Sequence, residues 1–117
     1  MNQSTGDISR QQAFPPAVHG YEQLASVLQD AYTQASVGKG RERHANDQPF
    51  HQQRMQTISG LLDSDDGMAF QAIKKLTEGL QFSDANAREK ELLGAIVYIA
   101  GIIVRQRVRI EADTNGR

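Results

Sequence analysis

The sequence predicts an all-α protein, a small bundle of about four helices with a flexible N-terminal arm. Three observations support this class. Apolar residues recur every three or four positions over most of the chain. Glycines, a proline and an acidic turn separate these periodic stretches. The longest apolar run, Leu92 to Val104, has the length of a buried helix. At 117 residues the chain is predicted to form one domain.

The first predicted helix starts near Tyr21 and ends at Gly38 and Gly40. Residues 1–17, which precede it, are polar and end in two prolines, so we expect a flexible N-terminal arm there. The apolar face of this helix comprises Leu24, Val27, Leu28, Ala31, Tyr32 and Ala35.

The second helix is predicted to begin at Pro49, because proline suits the first helical position, with Asp47 as a possible cap. Its apolar side comprises Phe50, Met55, Ile58 and Leu61 or Leu62. The acidic turn that follows, residues 63–67, has the composition of a solvated connection. The third helix carries Ala69, Ala72, Ile73, Leu76 and Leu80.

The fourth helix should start near Ser83 or Asp84, which are both good caps. Its apolar run, Leu92 to Val104, is 13 residues long. That is shorter than the ~20 residues that a membrane span needs, so the run predicts a buried helix and no membrane association. A helix that is apolar all round must be covered on all sides.

Three residues of this helix, Gly94, Tyr98 and Gly101, share one face. The missing side chains of the two glycines would let another helix approach closely, either within the chain or from a second subunit. Because the chain is short and this helix is apolar all round, we expect a homo-oligomer assembled through it.

Residues 104–110 alternate apolar residues and glutamine with three arginines, which is also the period of a strand. We favour a continuing helix. Arg105, Arg107 and Arg109 would then either stabilise the end of that helix through its dipole or join a basic loop in one anion site. The single helical domain is predicted to span residues 18–110, followed by a flexible tail at 111–117.

The charge and composition exclude several classes of protein. The formal net charge of −1 excludes a globally basic, histone-like nucleic-acid binder, so any anion site must be local. The chain has no cysteine, which excludes disulfides and thiolate metal sites. The first twenty residues lack a basic start followed by an apolar run, so no secretory signal is visible and we expect a cytoplasmic protein.

The positive charge is concentrated in residues 38–54, GKGRERHANDQPFHQQR, which we name the basic segment. Glycines let backbone amides turn toward a ligand, and arginine forks match phosphate oxygens. The predicted phosphate ligands are Lys39, Arg41, Arg43, His44 and Arg54. The predicted stacking residues for a base are Phe50 and Tyr21. A solvated loop without a ligand remains the alternative.

Other chemistry finds little support in the sequence. The basic segment lacks the lysine and hydroxyl pair of a nucleoside-triphosphatase phosphate loop. His44, Asp47 and His51 are a candidate metal set, but Pro49 interrupts the helix that would align them and the arginines repel a cation. No catalytic cluster is recognisable. We therefore predict no catalytic residue, no metal site and no cofactor.

Two resemblances add context. The order GKGRERHA, PFHQQ, AIKK and ELLGAIVYIAG resembles small helical proteins encoded by phages and prophages, over residues 38–104. This resemblance implies an accessory factor that acts on host machinery, in some cases by binding nucleotide immune signals without cleaving them. Locally, residues 91–98 resemble the metal-binding helix of MazG-type nucleotide pyrophosphohydrolases, with Glu91 present and Gly94 where that family has aspartate.

The leading functional prediction is non-enzymatic binding of a phosphate-bearing small ligand, such as a cyclic or ADP-ribose-type signal. Three rivals remain. A protein–protein inhibitor would present the basic segment to an acidic surface of a host factor. A degenerate MazG-like hydrolase would need magnesium. A nucleic-acid binder would show an affinity that falls steeply with salt.

Overall fold

The computed structural model describes residues 18–37 and 48–115. These residues form four α-helices and one 3-10 helix and contain no strand, which confirms the predicted all-α class and small bundle. The elements are α1 (Glu22–Ser36), a 3-10 helix (Phe50–Gln52), α2 (Arg54–Leu62), α3 (Asp66–Gly79) and α4 (Ala85–Asn115). The predicted N-terminal arm, residues 1–17, lies outside the described residues.

The chain divides into two compact units, Met1–Asp30 and Ala31–Arg117, and the division falls within α1. In the first unit a turn precedes α1, with the Tyr21 amide donating to the Val18 carbonyl over 2.8 Å. In the second unit the last turns of α1 meet α4, where the Gln34 amide nitrogen donates to the Lys90 carbonyl over 3.2 Å.

The second helix begins later than the sequence predicts. Pro49 starts a 3-10 turn, in which the Gln52 amide donates to the Pro49 carbonyl over 2.8 Å. Gln53 then adopts an extended conformation, with φ −72° and ψ 168°, so the α-helix restarts only at Arg54. It ends at Asp63, a left-handed residue with φ 50°.

Helices α3 and α4 pack antiparallel in the second unit. The side chains of Asp65 and Arg105 pair at one end of the contact, and Lys75 pairs with Glu91 toward the other. Between them, a Cβ added at Gly101 would lie 2.9 Å from the Met68 sulfur. Met68 is 1% exposed, so it is the centre of this contact. The glycine face that the sequence singled out is therefore used inside the chain.

The fourth helix has the predicted cap and the predicted helical state of residues 104–110, and it ends later than predicted. Asp84 caps it, because its Oδ2 accepts a hydrogen bond from the Ala87 amide over 2.8 Å. Residues 104–110 are helical, as favoured. The helix continues to Asn115, five residues into the range assigned to a flexible tail. All of residues 106–115 are exposed.

Small side chains line the interior, and most large apolar side chains lie outside. The buried hydrophobic residues among those described are Ala31, Met68, Ala72, Leu93 and Ala95. The exposed set on α2, α3 and α4 includes Ile58, Leu61, Leu62, Phe70, Ile73, Leu76, Ile99, Ile103 and Ile110. Among the described residues part of α4 is exposed, so the cover predicted on all its sides is not complete there. Glycine and alanine let the helices approach closely on one face and leave the bulky face of each helix outside.

Candidate functional site

The predicted ligand-binding residues fall into two groups. Lys39, Arg41, Arg43 and His44 lie outside the described residues, so their geometry stays a prediction. Arg54, Phe50 and Tyr21 are described. The first two of these lie in the second unit, at the entrance to α2, and Tyr21 lies in the first unit.

Arg54 is the first residue of α2 and is exposed. In the part of the chain that the structure describes, its guanidinium has no hydrogen-bond or ion-pair partner. The first turn of α2 contains no acidic residue, and the N-cap residue Gln53 makes no side-chain cap hydrogen bond. The positive end of the helix dipole and an unpaired arginine therefore coincide where the basic segment joins α2.

The two aromatic residues differ in their surroundings. Phe50 opens the 3-10 helix, which packs on α4, and its side chain is half-buried. Tyr21 precedes α1 and its ring is exposed, so it is free to stack on a planar ligand. His51, in the same 3-10 helix as Phe50, has its Nε2 atom 3.4 Å from the amide nitrogen of Gln52.

One buried polar cluster was not predicted from the sequence. Arg105 is 8% exposed, and its Nη1 donates to Asp65 Oδ1 over 2.8 Å, while Nη2 lies 3.4 Å from Asp63 Oδ1. The acidic turn after α2 is therefore more than a solvated connection, because it holds α4 in place. Arg105 lies ten residues before the last residue of α4, so it does not stabilise the helix end through the dipole. The sequence does contain an acidic turn and a run of arginines, but their positions along the chain do not show that they form an ion pair.

A second buried polar contact anchors α2. Gln56 is buried, and its side-chain nitrogen donates to the Gly101 carbonyl over 3.0 Å. Together with the arginine cluster, this bond fixes α2 on the same face of α4 that α3 contacts. Both contacts are structural, because they consume the donors and acceptors that a ligand would need.

The MazG-like positions hold a lysine instead of an open metal site. Glu91 pairs with Lys75, with 3.5 Å between Oε1 and Nζ. A Cβ added at Gly94 would lie 2.8 Å from the Lys75 Cδ, so the lysine stem lies over the position where the family carries its aspartate. Among the described residues, no group of three histidine, aspartate or glutamate side chains could share a metal ion.

None of the described helices is both long and apolar enough to cross a membrane. No protein-family model matches the chain, and no curated protein and no solved structure matches it either.

Proposed function

We propose that this chain is a non-enzymatic, phage-type accessory protein that binds a phosphate-bearing small ligand, in the cytoplasm of a host cell. The ligand is a nucleotide signal of the cyclic or ADP-ribose type, which the protein sequesters. The basic segment supplies the phosphate contacts through Lys39, Arg41, Arg43, His44 and Arg54. The rings of Phe50 and Tyr21 supply stacking on a base.

One observation supports this proposal above the others. Arg54 is exposed at the positive end of α2, its guanidinium has no partner among the described residues, and it is the last residue of the basic segment. An arginine fork at a helix N-terminus favours a phosphate through both its donors and the helix dipole. Among the arginines of the described residues, Arg105 is committed to two aspartates and Arg88 to a backbone carbonyl.

The proposal includes self-association. Few hydrophobic side chains are buried in the second unit, while bulky ones line the outside of α2, α3 and α4. Exposed apolar surface on this scale is typical of an interaction surface. A homo-oligomer would bury it.

Titration calorimetry against mono-, di- and cyclic nucleotides and ADP-ribose tests the ligand. We expect Arg54→Ala, Arg41→Ala and Arg43→Ala each to weaken binding about tenfold to a hundredfold, because each removes charge-assisted bonds. Thermal melts of the same preparations should show an intact fold, since surface substitutions change stability by about 0.5 kcal/mol or less.

Lys74→Ala is the matched control, because Lys74 is an exposed cation on α3 that is not part of the proposed site. It should bind like the parent. If no nucleotide binds more tightly than about 1 mM, or if the arginine variants bind like the parent, the small-ligand proposal fails. Affinity for nucleic acid that falls steeply with salt would favour the nucleic-acid rival instead.

A further inference from the structure

Helix α4 carries two stripes with the same spacing on opposite sides. The first stripe faces α2 and α3 and comprises Glu91, Gly94, Tyr98, Gly101 and Arg105. The second, which we name the α4 seam, comprises Leu92, Ile96, Ile99, Ile103, Gln106 and Ile110. The seam positions follow those of the first stripe by one or two residues in alternation, so at about 100° per residue the centres of the two stripes lie roughly 150° apart.

The described residues leave much of the α4 seam exposed. Ile99, Ile103 and Ile110 are 51%, 46% and 55% exposed, and Leu92 and Ile96 are half-buried. Outside the described residues, positions 1–17 and 38–47 do not carry an apolar residue every three or four positions over a comparable length. Neither of these two segments therefore has the composition to cover the seam.

We propose that a second copy of this chain covers the α4 seam, with the two α4 helices antiparallel. The seam residues are separated by four, three, four, three and four positions, so isoleucine recurs every seventh residue at 96, 103 and 110. This is the repeat with which a helix packs along another helix, side chains fitting into the gaps of an equal stripe. Because the stripe is complementary to an identical stripe, a second copy of this chain is the partner that fits it.

The charges beside the seam determine the orientation. Arg107 and Arg109 occupy the positions that flank its C-terminal end, and both are exposed. A parallel pair would place these arginines at the level of the same arginines in the partner, where like charges repel. An antiparallel pair with Leu92 opposite Ile110 moves them to the far end of the partner's helix.

The antiparallel register also supplies an opposite charge. Glu89 is exposed and lies three residues before the seam begins. With Leu92 opposite Ile110, it lies about 6 Å along the axis from the partner's Arg109, at 1.5 Å per residue. Long side chains span that separation, so each pair of helices can form this contact twice.

The projecting end of α4 supports the same arrangement. Beyond Arg105, which pairs with the turn before α3, residues 106–115 are all exposed. Most of the stability of a helix in a protein comes from packing of one of its faces, and these ten residues have no such packing among the described residues. In the antiparallel pair this segment lies along the first turns of the partner's α4.

This inference rests on the proposed homo-oligomer. Sedimentation velocity of the full chain tests the homo-oligomer and the seam separately. Ile99→Glu should raise the dissociation constant of the oligomer about a hundredfold or more, because it buries a charge in an apolar contact. Ile110→Glu should also weaken it, and since residue 110 lies beyond the intrachain contacts, this variant keeps the bundle folded. Leu61→Glu, at an 82% exposed position on α2, should associate like the parent.

Each outcome has a distinct meaning. A monomeric parent would overturn both the homo-oligomer and the seam. A parent that associates, together with seam variants that keep their helical circular dichroism and associate equally well, would overturn the seam alone. It would leave self-association standing through another surface.

Cross-linking tests the orientation. The chain has no cysteine, so the double variant Leu92→Cys and Ile110→Cys carries the only thiols. These positions are about 27 Å apart on one helix, at 1.5 Å per residue, so a short bismaleimide cannot join them within one chain. We expect peptide mass spectrometry to find position 92 linked to position 110 between copies. Links only of 92 to 92 and 110 to 110, or no link between copies, would overturn the antiparallel pair.

Discussion

Arg105 shows how one residue joins two distant parts of the chain. Its guanidinium reaches both Asp63 and Asp65, which lie about forty residues earlier in the turn between α2 and α3. Asp63 takes the left-handed conformation that ends α2, so its side chain is presented beside that of Asp65. The two carboxylates contribute unequally, because the Asp65 contact is shorter and the Asp63 side chain is 86% exposed.

The first prediction ranks these three side chains by stability. Arg105→Met should lower the free energy of unfolding by about 1–3 kcal/mol, below the range for fully buried pairs because water can solvate the released carboxylates. Asp65→Asn should cost about 1 kcal/mol, and Asp63→Asn about 0.5 kcal/mol or less, since asparagine tolerates the left-handed conformation. Urea denaturation measures all three. A larger loss of stability for Asp63→Asn than for Asp65→Asn would contradict the conclusion that Asp65 makes the stronger contact with Arg105.

At the scale of the elements, the contact between α3 and α4 depends on glycine where the two helices come closest. Gly79 is the last residue of α3 and is buried against α4. A Cβ added there would lie 2.9 Å from the Glu91 Cβ and 3.5 Å from the Arg88 carbonyl oxygen. Both atoms are fixed to the α4 backbone, so the helices themselves would have to move apart.

The second prediction compares two glycine-to-alanine substitutions. Gly79→Ala should lower the free energy of unfolding by about 1–3 kcal/mol, because it forces apart two packed helices. Gly60→Ala, in the last turn of α2 with nothing within 4 Å of the added Cβ, should raise it by about 0.5–1 kcal/mol. Thermal melts of both variants supply the comparison. Equal effects would mean that α3 and α4 are not in close contact at Gly79.

At the scale of the whole molecule, the second unit places its small residues inside and its bulky apolar residues outside. Met68 and a few alanines and glycines make the internal contact, whereas isoleucine and leucine line the outer faces of α2, α3 and α4. One chain therefore withdraws little apolar area from water, and the hydrophobic stabilisation of a single copy is small. Association with another copy would supply the missing burial.

The third prediction follows from this imbalance. When folding is coupled to association, the melting temperature rises with protein concentration, because dilution favours the dissociated and less stable chain. We expect such a rise for the parent between micromolar and higher concentrations, measured by circular dichroism. Ile99→Glu should melt at a temperature that no longer depends on concentration. A parent whose melting temperature is constant over this range would show that a single copy is stable alone.

The sequence by itself determined that the chain is helical and where most of the helices lie, although the start of α2 and the end of α4 differ from the prediction. A period of three to four apolar residues identifies a helical face from local spacing alone, and an aspartate in the position of Asp84 provides a cap wherever the helix packs. The helical state of residues 104–110 follows in the same way, since no glycine or proline interrupts residues 102–115.

Only the tertiary structure decided which face of each helix turns inward. Spacing shows which residues share a face, but α4 is apolar on two opposite faces, and the choice between Gly101 and Ile103 depends on the shape of the neighbouring helices. The glycine face turns inward because it allows close packing against Met68. The partners of Arg105 are equally invisible in the sequence, because two aspartates forty residues away become its neighbours only when α3 folds back on α4.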